Sequence, residues 1–209
     1  MKFGIGQSTA RVEDRRLLIG AGLYSDDIAP GQGLRVAFLR APHAHAHLLD
    51  IDLAAARQMD GVHLVATQAD LDADNIGDVL CQYRPPLIGG DKMQLVSKPA
   101  MVRDINRHAG DIVAMVVADR RETADSAIEL IVAEFEPMTA VTDIYEALKD
   151  GAPQLYDCYP NNIAFEWGGG KFDETERAMD AAIADGHQII EIDVVNSRVV
   201  INSMETRPM

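Results

Sequence analysis

Residues 112–117 form a continuous apolar run with no alternating polar positions, the pattern of a strand covered on both faces rather than half exposed. Burying Ile112, Val113, Met115, Val116 and Val117 would contribute about 1.5–3 kcal/mol each, as an upper figure. Asp119 then stands at N-cap spacing from Glu122, and Ala124, Ala127, Ile128 and Ile131 fall on one face at i, i+3, i+4, i+7. The spacing predicts a helix over 120–130 whose length returns the chain to the sheet. In residues 131–136, Glu134 and Glu136 alternate with Phe135, and Pro137 closes the segment as expected near a sheet edge. Strand, helix and strand predict a parallel pair joined by a right-handed crossover, around which the remainder packs.

The same pattern predicts strands over 34–39, 48–53 and 62–67, with a helical turn over 68–71. Residues 72–106 are weakly periodic, broken at Arg84-Pro85-Pro86 and Gly89-Gly90. A stretch of that length is more often functional or partner-contacting than incidental. Residues 141–148 read as a short helix, and 151–162 as a polar connector marking a domain boundary. A helix over 173–184 has Asp173 and Glu176 at cap spacing and Gly186 as its stop. Ile190, Ile192 and Val194 alternate with Glu191 and Asp193, a strand with one buried face, and a further strand begins at 199–201. Near the start, Gly20 and Gly22 indicate a turn after the apolar residues 17–19.

Composition narrows the classes of function. With 209 residues and 47% hydrophobic side chains the chain can bury a real core and is not disordered. Its 33 acidic against 19 basic side chains give a net charge of −14, which repels phosphate backbones and anionic lipid, so neither nucleic acid nor membrane is an expected partner. The first residues have no apolar core of signal-peptide length and no stretch of about 20 apolar residues exists, so the expected location is cytoplasmic. Cys81 and Cys158, 77 positions apart, suit neither a four-cysteine metal site nor a disulfide framework.

Candidate chemistry is sparse. His43, His45 and His47 alternate, so on a strand three imidazoles would share a face and could converge on one metal ion. No acidic partner lies nearby and Pro42 brings the run in from a loop, so exposed strand-edge histidines are the simpler reading. The segment 167–171 resembles a phosphate loop, but Phe172 stands where the magnesium-binding hydroxyl belongs. Gly4 and Gly6 lack the third glycine of a dinucleotide fingerprint, Thr9 standing there. Arg11, Glu13, Asp14, Arg15 and Arg16 form a charged cluster, read as a solvated ion-pair patch rather than a contact surface. No catalytic, cofactor-binding or metal-ligating constellation is assigned in this chain.

Four stretches taken together, RVEDRRLLIGAGLYSDDI, FLRAPHAHAHLLDID, RHAGDIVAMVVADRRETADSAIELIVAEFEPMTAV and NSRVVINSMETRP, resemble the start of the large subunit of molybdenum hydroxylases, the xanthine dehydrogenase, aldehyde oxidase and carbon monoxide dehydrogenase family. The resemblance implies an α+β fold, with an α/β-hammerhead domain over about 15–150 and the truncated start of a molybdopterin-binding domain over 160–209. It departs from the family pattern at His108-Ala109-Gly110-Asp111-Ile112, where the family has tyrosine and then glycine, glutamate and proline, at His47 and at Thr206. The family's glycine-rich cofactor contacts, substrate pocket and catalytic glutamate lie beyond the part that this chain resembles. The implied role is therefore an architectural piece or split subunit of an oxidoreductase hydroxylating an aldehyde or N-heterocycle with water-derived oxygen. It would bind no cofactor alone, and would assemble with the rest of the large subunit, an iron–sulfur subunit carrying 2Fe-2S clusters and an FAD subunit. The other expectation is a free-standing protein-interaction or small-ligand module that reuses the fold.

Overall fold

The computed structural model describes residues 6, 8, 10–24, 27, 33–82, 84, 87, 95–96 and 98–196. They are α+β. The chain divides into two compact units, Leu34–Ile192 and a second made of Met1–Gly33 with Asp193–Met209.

In the first unit, β1 (Arg35–Arg40), β5 (Ile112–Ala118) and β3 (Val62–Thr67) form one sheet in that order, while β4 (Ile105–Asn106), β2 (Ala46–Asp52) and β6 (Val132–Pro137) form a second. As the apolar run requires, β5 is the middle strand. Ala37 faces Val116 on β1, and Val65 faces Val116 on β3. Both neighbours are antiparallel to β5, so the expected parallel pair of β5 and β6 does not form. The two edges of β5 are already taken, and β6, with Glu134 and Glu136 exposed, suits only the edge of the other sheet, beside β2. The helix between them, α4 (Arg121–Glu129), therefore carries the chain from one sheet to the other.

The core lies on both sides of β5. Ala114, Val116 and Ala118 pack with Ala124 and Ala127 of α4 and with Ala56 of α2 (Ala54–Arg57), together with Ala37, Leu53, Val65 and Ile131. Alanines at 114, 118, 124 and 127, all fully buried, let the helix approach the sheet closely. On the opposite face Val113 packs with Ala41 and Val102, and Leu48, Ile51 and Phe135 of the second sheet cover them. Met115 and Val117, on the face of Val113, are only half-buried, so the second face is less completely covered than an unbroken apolar run implies.

Other local signals meet tertiary competition. Asp119 does not cap α4; its Oδ1 lies 2.6 Å from His63 Nε2 on β3, and Arg120 takes the N-cap position without a side-chain bond. The helical turn after β3 becomes α3 (Gln68–Ala73), started by Asp70 Oδ2 accepting from the Thr67 amide at 2.7 Å and hydroxyl at 3.0 Å. Asp143 caps α5 (Ile144–Ala147) through the amides of Tyr145 and Glu146. The connector 151–162 is fastened rather than free. Asn162 donates to the carbonyls of Ala147 and Pro153 and accepts from the Leu155 amide, while Arg107 donates to the Leu155 carbonyl at 2.7 Å and lies over the Tyr156 ring.

Beyond it, α6 (Phe172–Ala184) starts one residue before the expected cap, so Asp173 sits inside the first turn, where its charge still suits the helix dipole. Gly186, at φ +78°, ends the turn as expected. Residues 187–196 make no strand ladder, and Ile190, Ile192 and Val194 are 75%, 75% and 80% exposed, so the buried face expected there is not formed. The strand expected at 199–201 lies outside the described residues, as does Gly4 of the glycine pair. In the second unit, α1 (Asp14–Leu18) precedes Gly20 at φ +72°, the expected turn, and Arg11 and Asp14 of the charged cluster approach to 4.0 Å. Among the described residues no helix is long and apolar enough to cross a membrane.

Candidate functional site

Where β1 ends and β6 passes, Leu39, Arg40, Pro42, His43, Ile131, Ala133 and Phe135 line a cavity of about 360 Å³, within the range of small-ligand pockets. Leu39, Pro42, Ile131, Ala133 and Phe135 supply its apolar walls, and Arg40 and His43 its polar groups. Arg40 donates to the Gly110 carbonyl at 2.9 Å, and its guanidinium carbon lies 5.8 Å from the Phe38 ring centroid. His43 meets Phe135 edge to face, with ring centroids 5.5 Å apart. The lining has no carboxylate, thiol or hydroxyl. It offers a cation and an imidazole over apolar walls, an arrangement that can hold a small anion or side chain but has no nucleophile and base pair.

The alternating histidines do not converge. His43 lies in the bend before β2; His45 is buried with Nδ1 donating to the Thr139 carbonyl at 3.1 Å; His47, on β2, stands opposite Glu136 and Ile105. The bend 42–45 breaks the strand geometry that would have aligned them. Among the described residues no group of three His, Cys, Asp or Glu side chains is placed to hold a metal ion. Cys81 and Cys158 form no disulfide.

A second constellation, invisible to motif reading, closes the base of the weakly periodic stretch. Arg103 Nε and Nη2 donate to the two oxygens of Asp72 at 2.9 and 2.8 Å, and Nη2 also reaches Asp78 at 3.0 Å. The guanidinium, with a further bond from Gln68, holds the Asp72 carboxyl down to about 2, and the two carboxylates push the Arg103 pKa up. Gln68 is buried and accepts from the Met101 amide, while Val79 and Lys98 exchange backbone hydrogen bonds at 2.7 and 3.1 Å. The ends of a long excursion are thus tied together at residues 72–79 and 98–103. Asp111, largely buried, accepts from the Arg107 amide at 2.9 Å and lies 3.1 Å from His108 Nδ1 and 3.5 Å from Lys98 Nζ. Asn106 is fully buried and donates to the carbonyls of His43 and His108, fixing the histidine bend against β4. Asp72 and Arg103 are 31 residues apart, and nothing in the aperiodic stretch between them signals the pairing.

Residues 19–139, more than half the chain, match the family described as aldehyde oxidase and xanthine dehydrogenase, a/b hammerhead domain. The chain belongs to that family. Its hammerhead relatives include the large subunit of nicotine 6-hydroxylase of Paenarthrobacter nicotinovorans, 32% identical over 203 residues, covering 97% of this chain and 23% of that protein. The carbon monoxide dehydrogenase large chain of Afipia carboxidovorans is 35% identical over 152 residues, 73% of this chain and 17% of that one. Among solved structures, quinoline 2-oxidoreductase from Pseudomonas putida 86 superposes with a TM-score of 0.62 at 37% identity, over 78% of this chain and 20% of that one. The chain spans no more than about a quarter of the length of these relatives.

Proposed function

We propose that this chain is an architectural piece of the large subunit of a molybdenum hydroxylase-type oxidoreductase, with a hammerhead domain over 15–150 and the first segment of a molybdopterin-binding domain over 160–209. The observation that carries this reading is the alignment with the nicotine 6-hydroxylase large subunit, which extends past the hammerhead match to 97% of the chain. One relative is named as a large molybdopterin subunit, the nicotinate dehydrogenase of Eubacterium barkeri. Among the described residues, the pocket by β6 does not fit such a cofactor. It supplies one guanidinium and one imidazole beside apolar side chains. In this reading cofactor binding and catalysis belong to the remaining part of the large subunit, and iron–sulfur and FAD subunits complete the complex in the cytoplasm. The assembled enzyme would convert a C–H bond and water into a hydroxyl, releasing two protons and two electrons, with an aldehyde or N-heterocycle as substrate class.

The test is to tag the chain in its native host, isolate it gently, and measure molybdenum, iron, flavin and intact mass. Molybdenum in a complex larger than the 22.8 kDa chain is the expected result. Recovery of the chain alone, free of metal and flavin, overturns the reading. It would favour the second one, a small-ligand or interaction module, for which the cavity around Arg40 and His43 is the supporting observation.

A further inference from the structure

Two neighbouring segments carry strong amphipathic patterns and bury nothing. On α6, Phe172, Met179 and Ile183 stand at i, i+7 and i+11, within a stripe about 40° wide around the helix at 3.6 residues per turn. All three are exposed, and no residue of α6 is buried. Six residues after α6 ends, Ile190, Ile192 and Val194 alternate with Glu191 and Asp193, the period of a strand with one apolar face, and that face is open. On a helix Ile192 would lie about 160° from both Ile190 and Val194, so only an extended chain puts all three on one face. Water-exposed isoleucines at this period have no use in the chain by itself.

We infer that residues 189–195 add as a β-strand to a sheet of the remaining large-subunit polypeptide, with the α6 stripe packed over it; this rests on the function proposed above. The occupant follows from length. The relative that aligns with 97% of this chain, α6 and 189–195 included, has more than three quarters of its own length outside the alignment. Strand addition supplies backbone partners for the unladdered amides and carbonyls, and alternate side chains enter the partner's core. The polar positions Glu191 and Asp193 remain outward.

The test uses the full chain in its native host. The double variant Ile190→Asp/Ile192→Asp is compared with Glu191→Lys/Asp193→Lys, each checked for an unchanged far-ultraviolet spectrum and melting temperature of the chain alone. Loss of two apolar anchors lowers recovery of the molybdenum-containing partner about ten-fold or more, whereas the outward pair changes it less than about two-fold. In the wild-type complex, amides of 189–195 exchange about 100-fold more slowly than in the free chain. A molybdenum complex that keeps the Ile190→Asp/Ile192→Asp variant, or leaves these amides unprotected, overturns the docking inference and leaves the function standing. If wild-type chain yields neither partner nor molybdenum, the function fails and this surface loses its occupant with it.

Discussion

Asp72 illustrates how a single exposed carboxylate can be fixed by its partners. With its folded pKa near 2 and an ordinary value of 3.8, it favours the folded state above about pH 4, and that contribution disappears as the pH falls through 2. Asp70 is lowered as well, chiefly by the Thr67 amide, and acts in the same direction. Replacing Arg103 by Gln should raise the Asp72 pKa toward its ordinary value in a carboxyl NMR titration. An unchanged midpoint would mean that Gln68, not Arg103, sets it. Asn106 is the opposite kind of residue, buried, with its amide nitrogen between two carbonyls and its Oδ1 meeting no protein donor. Asn106→Ala strands both carbonyls and should cost about 1–3 kcal/mol in denaturant unfolding. Asn106→Asp, which sets an acceptor against two acceptors, should cost more. The roles of Asp72 and Asn106 were not legible from the sequence, because they depend on partners brought from 31 and 63 residues away. Local spacing offered Asp119 as a cap, and His63 claimed it instead.

At the level of elements, periodicity placed most of what exists: β1 to β3, β5, α4, β6 and α5 lie within a few residues of where alternation and helical spacing put them. Partner choice was not encoded at that level. An apolar run states that a strand is covered, not which strands flank it or in which direction, and β5 pairs with β1 more than 70 residues earlier at Ile112 and Arg40. Small residues proved as informative as large ones, since four buried alanines set the helix–sheet distance that the valines fill. Val116→Ala on β5 should therefore destabilise by about 2–3 kcal/mol, from lost transfer energy and the cavity left behind. On the second sheet Asp50 faces Glu134 across β2 and β6, two carboxylates at one cross-strand position. Glu134→Lys should stabilise the isolated chain by about 0.5–1 kcal/mol, measured by denaturation at low salt. An unchanged stability would show that solvent alone already relieves the opposition.

Across the whole molecule, the histidine alternation was legible and its convergence was not, since the bend at 42–45 is set by Asn106 and β4, far along the chain. The cavity at β6 was likewise hidden, because its lining comes from two strands whose adjacency only the topology supplies. The family resemblance was legible because it rests on spaced motifs rather than on any one contact. With α6 burying nothing and 187–196 unladdered, limited proteolysis of the isolated chain should cut first within 163–196. The trimmed 34–162 core should melt within about 2 °C of the uncut chain, as scanning calorimetry would show. First cleavage between 112 and 137 would instead mean that the core is not where the buried residues place it. The position of β5 between β1 and β3 also has a consequence during synthesis. Both neighbours are made before the strand they flank, and at 5–20 residues per second β1 waits roughly 4–16 s for the ribosome to deliver β5. During that interval β1, joined later by β3, stands with open edges, so the nascent chain should be a client of ribosome-associated chaperones until residue 118 emerges.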